Sequence, residues 1–257
     1  MNKLRKLAKI IINSGFRGTL AKTRVAAGVE HIPVLFALDT CRTVVDIGAN
    51  RGQFALVARH CLPQARIFSF EPLPEPAAKF RTVFSDDPSV TLYQSAIGPV
   101  RGEAIIHLSA RDDSSSLLPI TAMQNTLFPG TGEAGTATIS VGPLADHLPP
   151  QAIEPSALLK LDVQGFELQA LQGCEVLLER FSHVYVECSF VELYAGQALA
   201  DEVIAWLRER GFGLRGVYNV AHDRQGRAIQ ADFLFGNGGV LSHTDSFPPR
   251  SDSQGKG

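Results

Sequence analysis

Apolar runs and helical patterns alternate along this chain. Runs rich in β-branched and aromatic residues predict seven strands: Thr43–Ile47, Arg66–Phe70, Val90–Gln94, Leu158–Leu161, His183–Glu187, Phe212–Tyr218 and Gln230–Phe235. Apolar positions with helical spacing predict helices between most of them: Gly52–Cys61, Pro76–Phe84, Glu167–Arg180 and Leu199–Arg210. This alternation is typical of an α/β fold, a mostly parallel sheet with helices on both faces.

The last two strand patterns are connected differently from the others. Only turn-forming residues separate them, among them Asn219, Asp223 and Gly226, and no helical pattern lies between. Two strands joined by a turn pair antiparallel. We therefore expect the sheet to end with an antiparallel strand.

The middle of the chain departs from the alternation. Gly102–Ser109 and Thr136–Val141 have strand character, and a polar stretch from Arg111 to Gly135 separates them. A loop of this length in a compact domain is usually functional or disordered. We interpret residues 102–141 as a β-hairpin and loop insertion that forms a substrate lid over the carboxyl ends of the strands.

The two ends of the chain are set apart from this main domain, which we place at residues 39–240. Residues 1–38 form a predicted helical extension, and the polar tail of residues 241–257 is predicted to be disordered. Four apolar positions near the start share one helical face: Leu4, Leu7, Ala8 and Ile11. We favour packing of this face on the domain; the alternative is contact of residues 1–15 with anionic lipid, without a transmembrane segment.

Composition and charge narrow the functional classes. The chain has 257 residues, 45% hydrophobic and 19% charged, which suits one α/β domain with additions. The net charge of -2 and the absence of a dense basic face argue against a nucleic-acid partner. Four scattered cysteines without metal-binding spacing indicate reduced thiols and a cytoplasmic protein.

The run Val44–Gly52 follows the first strand and suggests a ligand. Asp46 precedes the glycine-spaced turn from Gly48 to Gly52. A carboxylate there would repel a pyrophosphate but would attract a cationic amine. S-adenosylmethionine has an ammonium, a sulfonium and no phosphate, so it is the cofactor we predict.

A second acid closes this βαβ unit. Glu71 ends the second strand and lies 25 residues after Asp46, where an acid can accept hydrogen bonds from both ribose hydroxyls. The alternative, a nicotinamide-dependent oxidoreductase, needs the tighter G-x-G-x-x-G spacing, and the run Gly48–Gly52 lacks it.

A third motif, Lys160-Leu161-Asp162-Val163-Gln164-Gly165-Phe166-Glu167, ends the fourth strand. Together with Asp46-Ile47-Gly48-Ala49-Asn50-Arg51-Gly52 and Phe70-Glu71-Pro72, it resembles the FkbM-like family of S-adenosylmethionine-dependent methyltransferases. The resemblance covers about residues 40–236. Gln164 replaces the glutamate more often found there, so we assign it no charge-dependent role.

The resemblance implies a Rossmann-like class I methyltransferase fold with a seven-stranded sheet. It also implies methyl transfer, usually to a hydroxyl of a sugar, glycan, glycolipid or other natural product. It does not identify the acceptor or the oligomeric state. A nucleoside-binding module without catalytic activity is the second functional alternative; a nucleic-acid methyltransferase would need an N/D-P-P-Y/F signature that this chain lacks.

These motifs assign roles to individual residues. The predicted cofactor-binding residues are Asp46, Gly48, Asn50, Gly52, Phe54, Glu71, Pro72, Ser95, Ala96, Ser115 and Asp162. Asp162 is the first candidate for the base that activates the acceptor hydroxyl, Glu187 the second, and His107 and His147 follow. Asp162, Glu187 and Asp46 could also bind Mg²⁺, but we favour a metal-independent reaction.

Overall fold

The structure is a computed structural model that describes residues 3–238. Within these residues ten strands form: β1 (Thr43–Ile47), β2 (Arg66–Phe70), β3 (Val90–Tyr93), β4 (Ala96–Ile97), β5 (Gly102–Ser109), β6 (Glu133–Gly142), β7 (Ala157–Leu161), β8 (His183–Ser189), β9 (Phe212–His222) and β10 (Ala228–Asn237).

Seven of these strands form the central sheet, in the order β3-β2-β1-β7-β8-β10-β9. Only β10 runs against its neighbours β8 and β9, which confirms the predicted antiparallel strand. Every residue of β1 and β7 is buried, because helices cover both faces of a parallel sheet. This explains why continuous apolar runs predicted these strands correctly.

Eight α-helices accompany the strands within the described part: α1 (Lys3–Ile12), α2 (Ser14–Thr23), α3 (Ile32–Phe36), α4 (Gln53–Cys61), α5 (Pro74–Val83), α6 (Ala122–Leu127), α7 (Glu167–Gly173) and α8 (Ala200–Glu209). Helices α7 and α8 pack on one face of the sheet. Helices α1 to α5 contribute to the core on the other face.

The predicted helix Glu167–Arg180 is interrupted. The α-helix ends at Gly173, and a 3₁₀-helix follows at Glu175–Arg180. At Gly173 the chain passes so close to the end of β4 that a β-carbon would lie 2.6 Å from the backbone of Gly98. The interruption follows directly after this contact.

The insertion contains more structure than the predicted hairpin. Strands β5 and β6 pair antiparallel as expected, and the short strand β4 adds parallel to β6 to make a second, three-stranded sheet. Helix α6 lies within the segment that was predicted to be a loop. These additions depend on pairing with distant residues, which local sequence patterns do not report.

The favoured packing of the apolar face of α1 is wrong. Leu4, Leu7 and Ile11 are exposed by 73%, 47% and 47%, and Ala8 is exposed as well. Ile10 is buried instead, and Lys6 forms an ion pair with Glu30 at 2.6 Å. The opposite side of α1 therefore attaches the helix to the domain.

Two predictions concern the chain ends and membranes. The predicted disordered tail, residues 241–257, lies outside the described residues. No helix among residues 3–238 has the length and apolar character needed to cross a membrane.

Candidate active site

A cavity of about 620 Å³ lies where the strands of the central sheet end. Gly48, Glu71, Asp162 and Glu187 line it: the first three directly follow β1, β2 and β7, and Glu187 lies two residues before the end of β8. The N-terminal segment forms a further part of its wall: Lys6, Leu7, Ile10, Gly28 and His31. The carboxyl ends of parallel strands are the usual ligand-binding edge of such sheets.

The loop after β1 is held in a tight conformation. Gly48 has a φ of 77°, and a β-carbon there would collide with the carbonyl oxygen of Asp162. Asn50 follows with a φ of 48°. Gly52 does not line the cavity; a β-carbon there would lie 2.7 Å from the ring of Phe84. Gly52 thus permits close packing of α4 on α5, and we reassign it from cofactor contact to this role.

Asp46 also lies outside the cavity wall. Its side chain is fully buried within β1, and one carboxylate oxygen is 3.0 Å from Lys160 Nζ. Burial raises the pKa of Asp46, and Lys160 opposes this shift. The predicted direct contact between Asp46 and the cofactor amine therefore needs correction: β1 directs this side chain towards Lys160.

Lys160 connects Asp46 to the glycine loop. Its ammonium donates a hydrogen bond to the carbonyl oxygen of Gly48 at 3.3 Å, lies 5.4 Å from the centre of the Phe54 ring, and lines the cavity. Burial alone would lower the pKa of Lys160, but Asp46 and Asp162 raise it above its ordinary value. Lys160 is therefore a buried cation that holds the loop after β1 in place.

Glu71 lines the cavity at the end of β2, as predicted. One carboxylate oxygen accepts a hydrogen bond from the backbone N–H of Asn50 at 2.9 Å, and the other accepts from Leu73 N–H at 2.8 Å. Burial raises the pKa of Glu71 to about 7, although these two hydrogen bonds oppose the shift. Each oxygen of the fixed carboxylate has a second lone pair for a ligand hydroxyl.

Most of the other predicted cofactor-binding residues also line the cavity: Asn50, Phe54, Pro72, Ser95, Ala96 and Ser115. Ser115 belongs to the insertion, and the neighbouring Ser116 hydroxyl donates to the carbonyl oxygen of Gln164 at 2.6 Å. The insertion is thus attached to the turn after β7 and closes one side of the cavity. Its role as a lid stays a prediction.

The side-chain amide of Gln164 connects the candidate bases Asp162 and Glu187, and a second amide, Gln230, fixes Glu187. Gln164 Nε2 donates to Asp162 Oδ1 at 2.7 Å and to Glu187 Oε2 at 3.2 Å. Gln230 Nε2 donates to the other oxygen of Glu187 at 2.7 Å. Burial, and then the nearby carboxylate of Asp162, raise the pKa of Glu187 well above its ordinary value. Gln164, to which we assigned no charge-dependent role, is thus the bridge between these two acids.

Glu167 supports the turn that presents Asp162. Its Oε1 accepts hydrogen bonds from the backbone N–H groups of Val163 and Gly165, both at 3.1 Å. Burial raises the pKa of Glu167 to about 7. The carboxylate is at the first residue of α7, where the helix dipole favours negative charge.

The two histidines proposed from the sequence lie outside the cavity wall. Along β5, Ile106 faces the cavity, so the adjacent His107 points away and pairs with Glu133 at 3.0 Å. His147 packs against the rings of Phe70 and Tyr93. Neither histidine is placed to act as the base.

A third histidine, His31, lines the cavity and was missed. Its Nδ1 lies 3.0 Å from the hydroxyl of Tyr185, which donates to Asp232 at 2.8 Å. Because the phenol proton is directed to Asp232, Nδ1 must carry the imidazole hydrogen, which leaves the lone pair on Nε2. Burial lowers the pKa of His31 to about 4, so this imidazole is neutral.

The charges around the cavity fit a cationic cofactor. Five acids line it: Glu30, Glu71, Asp113, Asp162 and Glu187. The three cations that line it already have partners: Lys6 pairs with Glu30, Arg111 with Asp113 and Lys160 with Asp46. Among residues 3–238, no group of three or more His, Cys, Asp or Glu is arranged to hold a metal ion.

Comparisons with known proteins indicate the family of this chain. The profile of the methyltransferase FkbM domain matches residues 46–214. The 2-O-methyltransferase NoeI of Sinorhizobium fredii is 28% identical over 160 residues, which are 60% of this chain and 66% of that protein, just under two thirds of its length. Methyltransferase sdnD of Sordaria araneosa is 25% identical over 210 residues, 72% of this chain and 79% of that protein.

Among solved structures, a provisionally assigned O-methyltransferase from Klebsiella pneumoniae has a TM-score of 0.51 at 12% identity, covering 91% of this chain and 96% of that one. This likeness supports the class I methyltransferase fold. The profile match covers most of the chain and contains all three motifs that suggested the family, which confirms the predicted family. The chain belongs to the methyltransferase FkbM domain family.

Proposed function

We propose that this protein methylates a hydroxyl oxygen on a sugar, glycan, glycolipid or related natural product. The main support is the cavity itself. Glu71, which follows β2, and the pair Asp162 and Glu187, from β7 and β8, line this same cavity. The name of the relative NoeI, a 2-O-methyltransferase, also favours oxygen as the acceptor atom. The four free thiols support a cytoplasmic location.

S-adenosylmethionine, when bound, supplies the activated methyl group. The carboxylate of Glu71 would accept hydrogen bonds from the ribose hydroxyls, and Ser95 and Ala96 would flank the adenine. The protein's main task is to align donor and acceptor, since orientation accounts for much of the rate in such transfers.

A base near the acceptor hydroxyl would raise the rate, because a neutral hydroxyl is a weak nucleophile. Asp162 remains the first candidate, since it lines the cavity beside the turn after β7. His31 becomes the second, with a neutral imidazole whose Nδ1 is held by Tyr185. Glu187 is less suited, since its raised pKa keeps it protonated to higher pH.

The Asp162→Asn variant tests the role of Asp162. The amide keeps the size and one acceptor oxygen, so cofactor affinity measured by calorimetry should stay within about threefold of wild type. Turnover should fall by about 10² or more, the usual contribution of a general base. Measurements need a panel of sugar and glycolipid acceptors with the labelled cofactor.

The outcomes separate the alternatives. An unchanged rate in Asp162→Asn would exclude Asp162 as the base and turn attention to His31. Tight cofactor binding by the wild-type protein without transfer to any acceptor would favour a nucleoside-binding module without catalytic activity. Failure to bind the cofactor at all would contradict the proposed function. Asp86→Asn, at an exposed position between α5 and β3 that does not line the cavity, is a matched control.

A further inference from the structure

Helix α1 presents an apolar stripe to solvent. Leu4, Leu7 and Ile11 lie on one side of the helix, and Ile12 beside them is 82% exposed. Isolated exposed apolar residues are common, but a continuous stripe on one helix face usually marks an interaction surface. The helix is attached to the domain by other residues, Ile10 and Lys6, and the side chains of this stripe face the solvent.

The charged side chains of residues 1–29, the segment around α1, are all basic. All 26 acidic residues of the chain lie at or after Glu30, whereas seven basic residues precede it: Lys3, Arg5, Lys6, Lys9, Arg17, Lys22 and Arg24. On α1 itself, Arg5 and Lys9 are one turn apart and exposed. An apolar stripe flanked by lysine and arginine is complementary to an anionic lipid surface. A second copy of the same basic helix would be repelled.

The position of α1 gives this surface a functional meaning. Lys6, Leu7 and Ile10 belong to the wall of the cavity, so the exposed stripe lies beside the site. We propose that α1 docks the protein on an anionic phospholipid surface and so places the cavity beside the bilayer. If the proposed function also holds, the acceptor is a hydroxyl compound anchored in that membrane by a lipid.

Vesicle flotation of the full chain tests the docking. The protein should float with vesicles of phosphatidylcholine and phosphatidylglycerol but not with phosphatidylcholine alone, and salt should weaken the binding. Leu4→Ser/Ile11→Ser should weaken it at least about tenfold, because two apolar side chains no longer enter the lipid. Arg5→Gln/Lys9→Gln should weaken it by about fivefold or more for each charge.

Matched controls carry the same changes on exposed residues far along the chain. Val100→Ser/Val176→Ser removes two apolar side chains that are 73% and 76% exposed, and Arg180→Gln/Arg208→Gln removes two exposed charges. Both controls should bind anionic vesicles like wild type. The proposal is overturned if the wild-type protein binds no vesicles, or if the α1 variants bind as tightly as the controls. A dimer in sedimentation that Leu4→Ser/Ile11→Ser abolishes would also overturn it.

The docking and the proposed function can fail separately. Leu4 and Ile11 do not line the cavity, so Leu4→Ser/Ile11→Ser should keep wild-type cofactor affinity and wild-type transfer to a water-soluble acceptor. Vesicle binding without any methyl transfer would contradict the function and leave the docking intact. Methyl transfer without vesicle binding would contradict the docking and leave the proposed function intact. Loss of activity on lipid-anchored acceptors alone would support both.

Discussion

At the scale of single residues, the position of an acid relative to the end of its strand predicted its contacts better than its negative charge did. Glu71 follows the last residue of β2, and the structure places its carboxylate in the cavity. Asp46 lies one residue before the end of β1, where all side chains are buried, and it faces Lys160. Both acids were predicted to bind the cofactor; the sequence could not show that one of them already had a buried cationic partner.

Glu71→Gln tests the ribose contact. Burial raises the pKa of Glu71 to about 7, and the ionised form is the better acceptor for two hydroxyls. Cofactor affinity of the wild-type protein should therefore increase as pH rises through about 7 and level off above it. Glu71→Gln should bind at least about tenfold more weakly, with this pH dependence lost. Calorimetry from pH 5 to 9, an interval of about two units on either side of that pKa, gives both results.

The control for that experiment is Glu75→Gln, on the exposed first turn of α5, where the carboxylate pairs with Lys79. It should leave both the affinity and its pH dependence unchanged. A Glu71→Gln variant with the wild-type pH profile would remove Glu71 from the ribose site.

Asp46→Ala tests the pairing with Lys160. Removing one partner leaves a buried ammonium without a counter-charge, so the variant should lose about 3–5 kcal/mol of unfolding free energy in urea. Asp46→Ala/Lys160→Met should recover part of this loss, because no unpaired charge remains. Equal stability of Asp46→Ala and wild type would show that the ion pair contributes little.

At the scale of elements, local sequence patterns predicted the strands that are buried on both faces and the helices with regularly spaced apolar residues. Strands β1 and β2 were predicted with the observed bounds, and α4 within one residue. Strand β4 and helix α6 were missed, because each is short and depends on long-range contacts such as the pairing of Ala96 with Val141. The end of β7 was predicted from the third motif, but the support that Glu167 gives to the turn after it was not.

Substitutions of Glu167 test that support. The pKa of Glu167 is raised to about 7 by burial, so ionisation opposes folding. Its contribution to stability is complete below about pH 4.5 and is lost as pH rises through about 7. Glu167→Gln keeps an acceptor oxygen for Val163 and Gly165 but has no charge. The fall in unfolding free energy between those pH values should therefore be smaller in this variant than in wild type.

Glu167→Ala separates the hydrogen bonds from the charge. It leaves two backbone N–H groups without their acceptor and should cost about 1–3 kcal/mol at any pH between 5 and 8, a range of about three units around the shifted pKa. Urea unfolding at several pH values measures both variants. Identical pH slopes in wild type and Glu167→Gln would assign the charge effect to other groups.

At the scale of the whole molecule, the missed features are those that bring distant segments together. The cavity wall includes the N-terminal segment, and His31 reaches Tyr185 across 154 positions of the chain. The only local signal for His31 was a polar pair, Glu30 and His31, in an otherwise apolar stretch. Such a pair predicts a polar environment but not which strands provide it.

The network behind His31 joins the N-terminal segment to three strands. Tyr185 on β8 donates to Asp232 on β10, and Asn219 on β9 donates to the same carboxylate at 2.7 Å. Tyr185→Phe removes the hydroxyl that fixes the imidazole and keeps the ring that packs in the core. If His31 is the base, turnover should fall at least about tenfold, while cofactor affinity should be unchanged because Glu71, Ser95 and Ala96 lie at other strand ends.

The pH profile distinguishes this effect from a general loss of structure. In wild type the low pKa of His31, about 4, keeps the imidazole neutral and able to accept a proton at neutral pH. Loosening the ring into solvent should raise that pKa towards its ordinary value and move the acid limb of the rate profile to higher pH. Tyr218→Phe, on the neighbouring strand β9 with its ring 6.2 Å from that of Tyr185, is the matched control and should leave rate and profile unchanged. If Tyr185→Phe and Tyr218→Phe give the same kinetics, the Tyr185 hydroxyl does not position His31 as a base.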